Sequence, residues 1–165
     1  MMLRLAKTLL VLAVALFYGF VVFNNTTDYH SNYMFVHHVL LMDSTFPGNR
    51  GLWRAIESPA IHHAFYVSII LWEFVTGALC CWGGVRMMRA LRGPADAFNL
   101  SKRVAVAALT LSLLMWLVAF LSVGGEWFLM WQSKSWNGQD AAFRMFTVVG
   151  IVLLLVALPD VEGAP

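Results

Sequence analysis

Asn24–Tyr66, NNTTDYHSNYMFVHHVLLMDSTFPGNRGLWRAIESPAIHHAFY, is the only long interruption between four apolar runs, and it holds all five histidines of the chain. Its reading decides the fold, because the runs around it are too apolar for a water-facing core. Hydrophobic residues make up 60% of the chain and charged residues 12%, against roughly 45–50% and about 25% in soluble domains. The mean hydropathy is positive. The expected class is an all-α integral membrane four-helix bundle forming a single domain over residues 1–165, with the segment 24–58 as an outer excursion.

Working outward from that segment, Leu9–Phe23 forms the first apolar run behind Arg4 and Lys7. Its A-x-A triplet, Ala13-Val14-Ala15, sits mid-run, so the run reads as a retained first span over about residues 5–23 and not as a cleaved signal. Within the excursion, Ser31 or Asn32 is placed to cap a short helix, Tyr33–Asp43, too short to cross and expected to lie in the interface or fold back. Phe46-Pro47-Gly48-Asn49 reads as a turn. Ser58-Pro59 starts the second span, about 59–82, with the serine as N-cap and proline at the first helical position. That span continues as a tail whose Arg86, Arg89 and Arg92 reach water. The third span, about 104–128, follows Ser101-Lys102-Arg103 and ends in Trp127, Trp131 and Trp136, which prefer the headgroup boundary. Asp140 is expected to cap the fourth, about 141–158, before an acidic tail. The basic residues fall mostly on the side of the termini, so the positive-inside rule puts both termini in the cytoplasm and the histidine segment outside, which in a bacterium is the periplasmic side of the inner membrane. This clustering explains the net charge of +2 without a nucleic-acid partner. The partners expected are the lipid bilayer and other integral membrane subunits.

Glu73 is the sharpest anomaly, since an ionised carboxylate within a span costs several kcal/mol. Eleven residues separate it from His62, which at 100° per residue puts the two within about 20° on one helix face. Tyr66, Thr76, Cys80 and Gly84 fall near the same line. This seam reads either as a packing face, with Glu73 hydrogen-bonded to a neighbour such as Trp116, or as a proton or ion path. Glu126 and Arg144 both lie near the outer boundary and are expected to pair. The vicinal pairs His37-His38 and His62-His63 bring imidazoles that also suit haem or copper, although adjacent residues of a helix point about 100° apart and cannot chelate together. No cofactor is the leading expectation. Cys80-Cys81 offers neither a disulfide framework nor metal-ligand spacing and reads as packing.

The run NNTTDYHSNYMFVHHVLLMDSTFPGN, followed by Trp53-Arg54-Ala55-Ile56, His62-His63, Tyr66 and Glu73, resembles an uncharacterised bacterial family of predicted small integral membrane proteins. The resemblance implies a four-span inner-membrane protein. It singles out Asp28, Tyr29, Asn32, Phe35, His38, Met42, Asp43, Trp53, Arg54 and Glu73, and it implies no activity. The leading functional expectation is a non-enzymatic accessory or structural subunit of a respiratory or other inner-membrane complex, with Tyr33, Phe35, Met42, Phe46 and Trp53 as partner contacts. The alternatives are a haem or copper redox protein using His37, His38, His62 and His63, and a proton-coupled carrier or channel using Glu73.

Overall fold

The computed structural model describes residues 1–161, and among these the regular structure is helical. The α-helices are α1 Met2–Thr27, α2 Tyr29–Leu41, α3 Pro59–Ala90, α4 Ala95–Ser101, α5 Arg103–Leu114 and α6 Gln139–Ala157. α5 runs directly into a π-helical segment, Met115–Trp127. Four stretches, Met2–Thr27, Pro59–Ala90, Ala95–Trp127 and Gln139–Ala157, are long and apolar enough to cross a membrane. Leu16, Phe20, Phe23, Leu71, Phe74, Phe143 and Leu154 are all more than half exposed on them. A bundle that turns its bulkiest apolar side chains outward is solvated by hydrocarbon.

Within the interior, small and polar residues such as Gly77, Gly83, Ser112 and Glu73 lie among the buried apolar ones. Hydrocarbon gives helices no hydrophobic reason to associate, so they must approach closely and hydrogen-bond. A Cβ on Gly77 would stand 2.8 Å from Tyr18 Cβ, and one on Gly84 would meet the Leu12 side chain, so α1 sits almost on the backbone of α3. On the other flank a Cβ on Gly83 would lie 2.7 Å from the Ala105 backbone nitrogen, which sets α3 against α5. Trp72 Nε1 donates to the Leu111 carbonyl across the same interface at 3.1 Å.

Several boundaries differ from the expected ones. α2 starts at Tyr29, not Tyr33, and follows α1 with a break only at Asp28 (φ −117°, ψ 56°). The polar run before it is helical because Thr26 and Thr27 return their hydroxyls to the Phe23 carbonyl, and Asn32 donates to the Asp28 carbonyl instead of capping. Ser58 does occupy the N-cap ahead of Pro59, but its hydroxyl makes no capping bond; its carbonyl accepts the Ile61 and His62 N–H groups. Gly138, not Asp140, is the N-cap of α6; Asp140 lies in the first turn. The Phe46–Asn49 turn closes as expected, through Asn49 N–H to the Phe46 carbonyl, with Gly48 at φ +76°.

At the end where α1 begins, an ionic clasp forms that residue order alone did not reveal. Lys7 is 1% exposed and Lys102 5%, so both charges are buried. Both ammonium groups bond the Asp160 carboxylate, Lys7 at 2.8 Å, and both donate to the Leu158 carbonyl at 2.8 Å. Asn99 donates to the Asp160 carbonyl and accepts its N–H, while the Arg4 guanidinium stands 3.7 Å from the carboxylate. Burial by itself would raise the Asp160 carboxyl, but Lys102 and Lys7 outweigh it and hold the group below its ordinary value near 3.8. Of the expected acidic tail, Glu162 lies outside the described residues.

Both the close packing and the clasp can be tested by substitution. Gly83→Leu drives a side chain into backbone that cannot yield, so the thermal midpoint in detergent should fall by the equivalent of about 1–3 kcal/mol. Asp160→Asn leaves two buried ammonium groups uncompensated, a loss of roughly 3 kcal/mol. Because the folded carboxyl is depressed, its stabilisation is complete above the ordinary value near 3.8 and disappears as pH falls through the folded value. Thermal unfolding should therefore show an acid limb in the wild type that Asp160→Asn removes.

Candidate functional site: a histidine layer and a buried carboxyl

α2 lies against the first turns of α3 and meets it through aromatic rings. Tyr33 stacks on His63 at 4.2 Å between centroids, and the Tyr29 hydroxyl bonds His63 Nδ1 at 2.9 Å. His37 Nδ1 and His62 Nδ1 face each other at 2.9 Å, and fully buried His62 donates from Nε2 to the Ile56 carbonyl at 2.7 Å. A carbonyl only accepts, so His62 carries its proton on Nε2. In the neutral pair, His37 Nδ1–H then donates to bare His62 Nδ1, an assignment made from the partners. His38 bonds Asp43 at 2.6 Å and stacks on Trp136 at 4.5 Å. His30 is exposed.

The histidines are thus distributed into separate pairs. Among the described residues no three His, Cys, Asp or Glu side chains are arranged to hold a metal.

Glu73 lies deeper along α3, near its midpoint, and is 3% exposed. The residues placed on its face by helical spacing, His62, Tyr66, Thr76, Cys80 and Gly84, are all buried. Its hydrogen-bond partner differs from the expected Trp116. Asn25 Nδ2 donates to Glu73 Oε2 at 2.7 Å, and Tyr66 donates to the Asn25 carbonyl at 3.1 Å. Trp116 instead donates to the Tyr18 hydroxyl at 3.1 Å, which also shares a 2.6 Å bond with Ser112. Asn25 and Tyr18 belong to α1, which presses against this seam through Gly77. Thr76 Oγ1 is buried without a partner among the described residues.

Glu126 and Arg144 do not pair. Both are exposed, and Arg54, reaching from the 24–58 segment, donates instead to the Glu126 and Trp127 carbonyls at 3.4 and 2.9 Å. Of the expected partner contacts, Tyr33 and Met42 are buried inside the molecule and Phe35 packs on Trp136 and Phe120. Only Phe46 and Trp53 of that set stand exposed. The signal that could have pointed to Asn25 is an amide at the end of an apolar run with no local role.

Four bilayer-length helices with a polar seam at their centre describe a membrane protein, and a family model described as "Predicted small integral membrane protein (DUF2165)" matches residues 3–159. The chain belongs to that family. The match takes in the four crossing helices, the histidine layer, Glu73 and Asn25, so the family is defined over the whole bundle. It is a family of unknown function. No curated protein and no solved structure matches.

The histidine pair makes the α2–α3 contact sensitive to acid. Desolvation first, then the imidazoles of His62 and His38, hold His37 below its ordinary value near 6.5, with Asp43 opposing them. A depressed imidazolium means that the unfolded chain takes the proton more readily, so stability falls as pH drops from the ordinary value toward the folded one. One proton leaves the His37–His62 bond intact, whereas a second puts hydrogens on both facing nitrogens. The thermal midpoint should fall as pH drops below the ordinary imidazole value near 6.5, with a smaller fall in His37→Gln. Identical pH profiles in the two proteins would assign the acid sensitivity to other groups.

Proposed function

We propose that the protein is a non-catalytic accessory subunit of a larger bacterial inner-membrane assembly, docking through the end that carries residues 24–58. The observation that carries this reading is a rim of large apolar side chains at that end. Trp53, in a 3-10 turn over Leu52–Arg54, is 75% exposed and Phe46 51%, both between α2 and α3. Phe46 meets Trp131 edge-on at 5.7 Å, and Trp53 meets Trp127 at 5.8 Å. The Arg54 guanidinium lies over both Trp53 and Trp127, at 5.5 and 5.3 Å. Behind these rings Arg54 Nε and Asn49 Nδ2 are buried donors without acceptors among the described residues, each costing about 1–3 kcal/mol. A partner offering an apolar face would cover the rings. The bundle's basic residues, among them Arg86, Arg89, Arg92 and Arg103, gather toward the clasp end. This supports placing that end in the cytoplasm and the rim in the periplasm.

The test is purification from native membranes in mild detergent, comparing wild type with Phe46→Ala/Trp53→Ala. The expected result is a defined complex in which at least about tenfold less partner remains with the double variant, as loss of aromatic anchors predicts. A wild-type chain that always migrates alone, or a partner retained equally by the variant, would overturn the reading.

A further inference from the structure

A second opening lies on the side of the bundle, away from the aromatic rim. Between α1 and α3 a cavity of about 330 Å³ is lined by Ala15, Gly19, Gly77, Ala78, Cys81 and Glu73. Its outer wall belongs to surface that faces lipid, since Gly19, Ala78 and Cys81 are exposed. A Cβ on Gly19 would meet nothing within 4 Å, so this residue leaves the mouth open. Inside, Glu73 is 3% exposed, and only one of its carboxyl oxygens is engaged, Oε2 by Asn25. No Lys or Arg pairs with it among the described residues. The Tyr18 hydroxyl, also in the cavity wall, is committed to Ser112 and Trp116.

From this geometry we infer a lateral binding site for the amine end of a lipid-dissolved base, with Glu73 as its proton donor and counter-ion. A carboxyl without a cation in hydrocarbon is carried as the neutral acid. The Asn25 Nδ2 group, which faces the carboxyl, can only donate, so in this orientation it marks Oε2 as the accepting oxygen and leaves the proton on Oε1. When a neutral amine enters, the Oε1–H bond breaks and an N–H bond forms, giving a carboxylate–ammonium pair with no net change in charge. The Asn25 bond strengthens as its acceptor becomes ionised. The other titratable groups facing Glu73 are Tyr18 from α1 and Tyr66 from α3, with Cys81 at the cavity wall; none is a cation. The walls are otherwise apolar, which fits an aliphatic body behind the amine and gives an anion nothing to bind. The site is independent of the docking reading, for it faces lipid and not the rim.

The probe is dicyclohexylcarbodiimide, a hydrophobic reagent that adds neutral carboxyls and retains every atom in the final N-acylurea, so Glu73 gains the reagent's full mass. Wild-type protein in phosphatidylcholine vesicles should be labelled at Glu73, and saturating dodecylamine should slow labelling at least tenfold, while dodecanol and dodecyl sulfate should not. Gly19→Leu, which fills the mouth without touching Glu73 and suits a helix better than glycine, should slow it comparably. Ala78→Leu repeats the test from the opposite wall should the first variant fold poorly. Absence of label on folded wild type would overturn the inference. So would equal protection by the alcohol or the sulfate, or labelling at the wild-type rate in both filled variants.

Discussion

Every helix here has to be held by something other than aversion to water, because lipid solvates leucine as well as another leucine does. The structure meets that constraint by bringing α1 almost onto the backbone of α3 at Gly77 and Gly84, and α3 onto α5 at Gly83. Close approach then decides what else can occupy the interior. Polar groups too short to reach across an ordinary helix interface, such as Asn25 and Ser112, come within bonding distance of Glu73 and Tyr18. The same closeness explains why Glu73 is buried yet tied at only one oxygen. Its neighbours on the cavity wall, Ala15, Gly19, Gly77 and Ala78, are small, and small residues leave room beside them.

The four spans were legible because a bilayer-length apolar run with charged ends fits almost nowhere except across a membrane. The buried face of α3 was legible too, since a polar minority repeating at helical spacing marks the side turned away from lipid. What lay beyond reach was pairing. Trp116 was placed level with Glu73 by counting residues along a regular helix, a method that says nothing about which partner α1 interposes. The third span also departs from regular geometry, since Ser122 returns its hydroxyl to Leu117 and Phe128 N–H bonds Val123, each five residues back. A wheel drawn at the α-helical angle loses phase there. The Asp160 clasp was out of reach for a different reason: topology statistics treat a lysine as a charge at a boundary and cannot see a carboxylate arriving from a distant part of the chain.

The two polar regions follow different logics. In the histidine layer nearly every contact is reciprocal, ring against ring and nitrogen against hydroxyl, carbonyl or nitrogen, which suits a joint that fixes α2 on α3. Around Glu73 the bonding is incomplete, with a free carboxyl oxygen and a sealed Thr76 hydroxyl that finds no partner among the described residues. Buried polar groups left unmatched are uncommon in folded proteins. An unpaired carboxyl beside a lateral opening is what separates this place from the histidine layer.

The Asp160 clasp has a temporal consequence. Synthesis proceeds from the amino end, so Lys7 and Lys102 are made and membrane-inserted well before their shared carboxylate exists. Until the final crossing is in place, Lys102 has the Asn99 amide oxygen but neither ammonium group has a carboxylate. Completion of the last crossing therefore places one carboxylate between the two ammonium groups and ties α1 and the α4–α5 junction to the chain beyond α6 in one event, so a chain truncated before that residue would leave both lysines without their counter-ion.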